Sequence, residues 1–318
     1  MEDSIVSLLH RVQHRLANPP IQLIRIPYDR WPIPHPPFTP LIPRPLRILV
    51  LDSSYNPPTL AHLALANSRR PLYSKTKDTG PDHDSDYDAK LLLLSVRNAD
   101  KTMKPGDASY LQRLEMMALL THHVVRNGDS ASNNNDNAAI TSREAANVAI
   151  GIIDEPIFIN KSKSLLDFLR KRSISFASAT PPSVVYDMQL TFMVGFDTLE
   201  RLVLSQYYVS ESHMLSSLRN FLSPAPGGDD SRIVCARRGS SMKDSKVTTD
   251  DEAKLAIAQE FISSERISFI DIPEDVRTCS STAVRDTISR SDSEAKDWRK
   301  YVPEEIADYI TREKLYTI

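Results

Sequence analysis

The chain has 318 residues, 41% hydrophobic and 25% charged, with 39 Lys+Arg against 41 Asp+Glu and a formal net charge of -2. That balance argues against a nucleic-acid binder, whose domain would be basic. Two cysteines without a CxxC motif cannot make a disulfide framework, and no apolar run reaches the roughly 18 residues that cross a bilayer. Glycine is scarce, 8 in all, and neither G-x-G-x-x-G nor G-x-x-x-x-G-K-[ST] occurs. That argues against a dinucleotide site or a P-loop of the usual pattern.

Ile5, Leu8, Leu9, Val12 and Leu16 recur at helical spacing, which predicts an amphipathic N-terminal helix. Glu2 and Asp3 at its start disfavour a mitochondrial presequence, which is poor in acids, and favour a docking helix. Residues 19–45 hold 10 of the 22 prolines. They cannot sustain a helix or a central strand, so an extended arm lying on the domain is expected. Residues 1–45 are thus read as an N-terminal extension and 46–318 as the main domain.

From Leu46 apolar runs and helical patterns alternate. Strands are predicted at 47–51, 90–96, 147–153, 190–194, 232–236 and 267–272. Helices are predicted at 60–69, 110–125, 165–170, 198–204, 214–221, 251–263, 282–289 and 304–312. This is the signature of an α/β fold with a doubly wound parallel sheet. Residues 74–88, 127–137 and 223–231 are polar and read as surface insertions.

Ligands of such sheets bind beyond the carboxyl ends of the strands. Three strand ends carry suitable chemistry. The first is followed by Asp52-Ser53-Ser54-Tyr55-Asn56-Pro57-Pro58-Thr59-Leu60-Ala61-His62. Thr59 and His62 lie three apart on the first helical turn, and both side chains can face an anion there, although a capping Thr59 and a half-buried core His62 would fit too. The last strand is followed by Cys279-Ser280-Ser281-Thr282-Ala283-Val284-Arg285. Three hydroxyl residues and an Arg one turn on suit phosphate oxygens, and equally suit an ordinary helix cap. Between them lies Gly195-Phe196-Asp197, where glycine permits close approach and the carboxylate can accept from hydroxyls or cap a helix.

Together these motifs resemble the nucleotidyltransferase superfamily, with its [HT]-x-x-H and I-S-S-T-x-x-R motifs, and within it the nicotinamide mononucleotide adenylyltransferases, in a divergent fungal-type branch. Gly195-Phe196-Asp197 matches the family's G-x-D. Ile233-Val234-Cys235-Ala236-Arg237-Arg238-Gly239 resembles the strand that the family ends with an arginine, and Gln112-Arg113-Leu114-Glu115-Met116-Met117-Ala118 is similar to an H-R-x-x-M-A helix. Tyr301-Val302-Pro303 through Tyr316 is similar to the family's C-terminal pattern. Ser53 stands where the family has glycine, Tyr55 where it has phenylalanine, and Cys279 where it has isoleucine. The family's tryptophan that stacks on nicotinamide has no counterpart near Asp154–Phe158.

The resemblance implies a Rossmann-like nucleotidyltransferase domain that transfers adenylyl from ATP to nicotinamide mononucleotide, with nicotinic acid mononucleotide as a second candidate acceptor, by direct in-line attack. It assigns His62, Thr59 and Arg285 to catalysis. ATP would lie on Ser53, Ser54, Tyr55, His62, Gly195, Asp197, Ser280, Ser281, Thr282 and Arg285. The mononucleotide would meet Lys104, with Phe158, Tyr207 or Tyr208 supplying a stacking face. Mg²⁺ would arrive with ATP, with no dedicated metal site in the chain. A phosphate nucleophile needs no side-chain base, and no nucleophile–base pair is expected at these strand ends. Related cytidylyl or pantetheine-phosphate adenylyl transfer, or nucleotide binding without catalysis, are the alternatives. The expected partners are small nucleotides, with neither nucleic acid nor membrane, and the expected location is cytoplasm or nucleus.

Overall fold

A computed structural model of the chain describes residues 4–34, 44–73, 86–97, 103–125, 146–177, 186–237, 257–290 and 298–317. Its centre is a seven-stranded sheet. The strands are β1 Ile21–Arg25, β2 Leu46–Ser53, β3 Ala89–Ser95, β4 Val148–Ile153, β5 Met188–Gly195, β6 Arg232–Ala236 and β7 Ile267–Ile270. The order is β1-β4-β3-β2-β5-β6-β7, and every pair is parallel except β1 with β4. The six parallel strands thus have the doubly wound arrangement.

Alternation within each strand explains the layers. Leu49 and Leu51 of β2 face one core with Leu92, Leu94, Ile150, Ile152 and Met193; Ile48 and Val50 face the other with Leu91, Leu93, Leu190 and Phe192. Both faces are covered, so the strands read as unbroken apolar runs. The first core is covered by α1 Ile5–Gln13, α2 Leu60–Ala66, α3 Tyr110–Thr121, α8 Ser281–Ser289 and α9 Glu304–Arg312. The second is covered by α4 Phe158–Ala177, α5 Phe196–Leu202 and α6 Glu211–Leu222; a short α7, Glu274–Arg277, precedes α8.

The structure adjusts four expectations. The proline-rich arm contributes β1, whose Ile21 pairs with Ile153 at the sheet edge, where strands bounded by proline are tolerated. Beyond it Trp31 is fully buried, with its indole N–H donating to Asn147 O; residues 35–43 lie outside the described residues. The helix expected at 165–170 runs from Phe158 to Ala177. Its first half was hidden because Lys161 and Ser162, both buried, interrupt the apolar stripe completed by Leu165, Leu166 and Leu169. The polar stretch 74–88 is not all surface: Asp86 and Tyr87 are buried beside β3, and the rest lies outside the described residues. The expected 127–137 insertion and the first half of the 251–263 helix also fall outside them, while 257–263 is helical. Residues 223–231 form a compact turn, with Gly228 so close to Asn220 O that a Cβ would stand 2.4 Å from it.

Candidate functional site

β2 has β3 on one side and β5 on the other, and the chain winds away from it in both directions. Beyond the carboxyl ends of β2 and β5 therefore lies the topological switch point, where doubly wound sheets bind ligands. The segment after β2 carries Ser53–His62, and the segment after β5 carries Gly195–Asp197.

The motif after β7 is brought onto the motif after β2. The Thr59 hydroxyl donates to Cys279 O at 3.0 Å, the Ser281 hydroxyl donates to Pro57 O at 2.7 Å, and Arg285 Nη1 donates to Asn56 O at 2.5 Å. These residues are more than 200 positions apart in the chain. Imidazole and guanidinium thus flank one short loop.

His62 is held by its own helix start. The Thr59 backbone N–H donates to His62 Nδ1 at 3.0 Å, the role a Glu or Gln takes in a capping box. Because an N–H can only donate, Nδ1 bears the lone pair. Burial pushes the imidazole down to about 4, so at neutral pH the single ring proton sits on Nε2. Nε2 lies 2.9 Å from Ser53 Oγ and donates to it. A serine–histidine pair therefore exists at this strand end, contrary to expectation. In this tautomer the imidazole has no lone pair facing the serine, so it cannot serve as its base.

The sign of the pH dependence follows. The folded value lies below the ordinary 6.5, so the neutral ring stabilises the fold fully above pH 6.5 and loses that contribution as pH falls toward 4. In an NMR titration of the ligand-free protein, His62 is expected to protonate near pH 4. A midpoint near 6.5 would contradict the placement.

Thr59 differs from the expectation. It is completely buried and its hydroxyl is turned onto Cys279 O, so it positions His62 and the α8 start instead of facing an anion. Ser53 also differs. It pairs with Leu94 in the β2–β3 ladder and keeps strand geometry. The left-handed backbone of this turn falls on Tyr55, at φ 45°. Tyr55 is fully buried, its hydroxyl donates to Leu51 O at 2.6 Å, and its ring lies 5.2 Å from that of His62. Ser54 is exposed at the bend, and its carbonyl accepts from Arg113 Nη1 at 3.3 Å.

On the other side, Ser280 caps α8 by accepting from Ala283 N at 3.0 Å, and Thr282 is exposed and accepts from Arg285 Nη2 at 3.4 Å. The capping reading of the three hydroxyl residues is therefore realised at Ser280. The Ser281 proton is committed to Pro57, which leaves the Thr282 hydroxyl, the first-turn amides and Arg285 as the donors this segment offers outward.

Several residues of this cluster were not singled out from the sequence. Asn56 donates to Asp107 Oδ1 at 2.7 Å and accepts from Ala108 N at 3.2 Å and from the Tyr316 hydroxyl at 3.0 Å. Asp107 lies 3.7 Å from both Arg113 Nη2 and Arg285 Nε. Burial alone would raise its carboxyl. The Lys104 N–H, the Asn56 amide and the two guanidinium groups outweigh that and hold it below the usual carboxylate range. Lys104 itself has an exposed side chain beside this network. Behind Ser53, the Asp52 side chain is nearly buried, paired with the Lys161 ammonium and accepting from Ser95 Oγ at 2.9 Å.

Gly195 caps α5 with an ordinary φ of -82°, and a Cβ there would meet nothing within 4 Å. Neither backbone nor packing requires glycine at this spot. Asp197 stands exposed on the first turn of α5. The aromatic candidates are used elsewhere. Phe158 lies edge-on to Phe192 in the core with Lys161 Nζ 4.7 Å from its centroid, and Tyr208 donates to Leu202 O at 2.8 Å. Tyr207 ends a short 3-10 turn, half-buried. Arg237 follows β6 with its guanidinium over Phe269, while Arg238 and Gly239 lie outside the described residues.

No family model matches the chain. The "Putative nicotinamide mononucleotide adenylyltransferase" of Schizosaccharomyces pombe is 29% identical over 272 residues, 83% of each chain. A solved structure, Plasmodium falciparum nicotinic acid mononucleotide adenylyltransferase complexed with APC, covers 85% of this chain and 96% of its own at 14% identity and a TM-score of 0.40. Along most of its length the chain is thus similar to a protein that bears the name of a nicotinamide mononucleotide adenylyltransferase.

Proposed function

We propose that the protein transfers the adenylyl group of ATP to a pyridine mononucleotide, nicotinamide mononucleotide first, releasing pyrophosphate. The observation that carries this reading is that Arg285 is seated on Asn56 of the loop whose two ends carry the paired Ser53 and His62, at the sheet's switch point. The relative's name supports the choice of acceptor.

The chemistry asks little of the chain. The mononucleotide's 5′-phosphate attacks the α-phosphorus of ATP in line, the bond to the β-phosphate oxygen breaks, and pyrophosphate leaves. The attacking phosphate is already ionised at neutral pH, so the protein need only align two anions and absorb charge. The Ser53–His62 pair serves the α/β-phosphates, and Arg285 with Thr282 and the α8 amides serves the β/γ-phosphates. The open space above Gly195 admits the nucleoside, with Asp197 placed to accept from its hydroxyls. Lys104 is an exposed cation at the rim for the incoming mononucleotide, and Tyr207 is left as the stacking candidate.

Mg²⁺ fits this donor set as a companion of the nucleotide. The carboxylates nearest the loop, Asp52 and Asp107, are committed to Lys161 and to two arginines. The ion would be held through phosphate oxygens, where it would neutralise part of their charge.

The test is NAD formation coupled to pyrophosphate release, with nicotinamide mononucleotide, nicotinic acid mononucleotide and, as competitors, CTP and pantetheine phosphate. Arg285→Ala is expected to weaken ATP binding by about tenfold or more, since hydrogen bonds to charged groups are worth about 1.5–3 kcal/mol. Unchanged ATP affinity by calorimetry would count against its role.

A further inference from the structure

We infer that Tyr316 is a positioning residue for the triphosphate: through Asn56, its hydroxyl fixes the carbonyl on which Arg285 is seated. This rests on the reading above and deepens it. Asn56 is buried and serves the network with both its backbone and its side chain. Its backbone carbonyl accepts from Arg285 Nη1 at 2.5 Å. Its side-chain oxygen accepts from Ala108 N at 3.2 Å, and its amide nitrogen donates to Asp107 Oδ1 at 2.7 Å. An N–H can only donate, so the Asn56 amide has one orientation, with Oδ1 toward Ala108. The Tyr316 hydroxyl, 3.0 Å from Oδ1, must therefore donate to it. Burial pushes the Tyr316 phenol well above its usual range, so it keeps that proton at neutral pH. Asp107 closes the ring, since it also lies 3.7 Å from Arg285 Nε. The guanidinium is thus held by one carbonyl and one carboxylate, and Tyr316 fixes the residue that supplies the first and touches the second.

The segment after α9 is built to present this hydroxyl. α9 is fastened to α3 by the Tyr309 hydroxyl, which donates to Glu115 Oε2. Beyond α9 the chain doubles back: Lys314 N donates to Thr311 O at 3.3 Å and Leu315 N donates to Ile310 O at 3.0 Å. Lys314 and Tyr316 both take a left-handed backbone, at φ 51° and 64°. A tyrosine in that region is unfavourable and persists where its surroundings fix it. Here Leu315 and Tyr316 are buried in the first core, and the phenol ends on Asn56. Packing accounts for the ring. It does not account for the hydroxyl, whose partner is the residue that seats Arg285. Because Arg285 is assigned to holding the β/γ-phosphates, a tether acting through it shows in ATP affinity more than in turnover.

The experiment separates the hydroxyl from the ring. Tyr316→Phe keeps the packing and removes the proton. It is expected to weaken ATP binding about fivefold by calorimetry, the usual worth of one hydrogen bond. It is expected to raise KM for ATP more than it lowers kcat, with thermal unfolding close to that of the wild type. In an Arg285→Ala background the same substitution is expected to add less than about twofold, whereas independent contacts would multiply. Coupling is reciprocal, so ATP is expected to slow hydrogen exchange at the Leu315 amide of the wild type by a similar factor. Wild-type ATP affinity in Tyr316→Phe, whatever its stability, would overturn the inference. So would an undiminished loss in the Arg285→Ala background, or Leu315 exchange indifferent to ATP. Calorimetry needs no acceptor, so protein with this coupling that makes no NAD would overturn the acceptor assignment and leave the role of Tyr316 standing.

Discussion

Replacing His62 by alanine is expected to lower kcat by about 10²–10³, the usual effect of removing one donor that acts on developing charge, about 2.7–4 kcal/mol. The loss should appear in kcat more than in KM for ATP, because the charge grows only as the bond to pyrophosphate breaks. It is not free of structural cost. His62 Nδ1 accepts the Thr59 N–H, so the variant also removes half of the capping box at this helix start. Loss of a cap costs about 1 kcal/mol. Glutamine at this position can restore the cap without restoring the ring, so His62→Gln should recover stability and not turnover. Steady-state kinetics and thermal unfolding read the two effects separately, and near-normal turnover in either variant would refute the role.

The second large effect lies one residue before Ser53. Asp52→Ala leaves Lys161 without its carboxylate in a site where both side chains are almost fully buried. Breaking a buried pair by removing one partner costs about 3–5 kcal/mol, because the remaining charge is stranded. Lys161→Met should cost a comparable amount by stranding Asp52. The pair of substitutions together, with asparagine in place of Asp52, should recover much of the loss, since a buried ion pair is often replaceable by neutral groups of similar volume. Denaturant unfolding of the three proteins gives the comparison. A single variant that unfolds like the wild type would show that the pair is not the anchor of this strand end. The site depends on it: Ser95, Lys161 and Asp52 tie β3, α4 and β2 together immediately behind Ser53.

Most of the sheet was legible in the sequence, because parallel strands covered on both faces must be apolar at every position. Leu46–Ser53 and Ala89–Ser95 are such runs, and each predicted strand from residue 46 onward is present within two residues at either end. β1 was not legible as a strand. Five residues between prolines carry no alternation that distinguishes an edge strand from an extended arm, and only pairing with β4 decides it. The start of α4 was obscured for a different reason. A buried lysine satisfied by a carboxylate 109 residues away breaks the apolar period that marks a helix.

The site divides in the same way. His62, Arg285 and Gly195 were legible because each sits at a strand end with a local motif around it. Asn56, Asp107 and Tyr316 carry no such signature; Tyr316 reaches Asn56 across 260 positions, and only the fold shows that the C-terminal segment closes the network beneath Arg285. Thr59 was legible as a residue of interest but not in its role. Its hydroxyl could face an anion or a carbonyl, and Cys279 O decides the matter. Ser53 drew attention because it stands where the family has glycine. The ladder with Leu94 keeps Ser53 extended and passes the tight turn to Tyr55.

The central claim is that one triphosphate is gripped from both sides of the 54–58 loop. A crystal structure with a non-hydrolysable ATP analogue tests it most directly. The account predicts the triphosphate within hydrogen-bond distance of the Ser53–His62 pair on one side and the Arg285 guanidinium on the other, with the nucleoside over Gly195. A nucleotide bound elsewhere on the molecule, or one touching only one of the two sides, would contradict it.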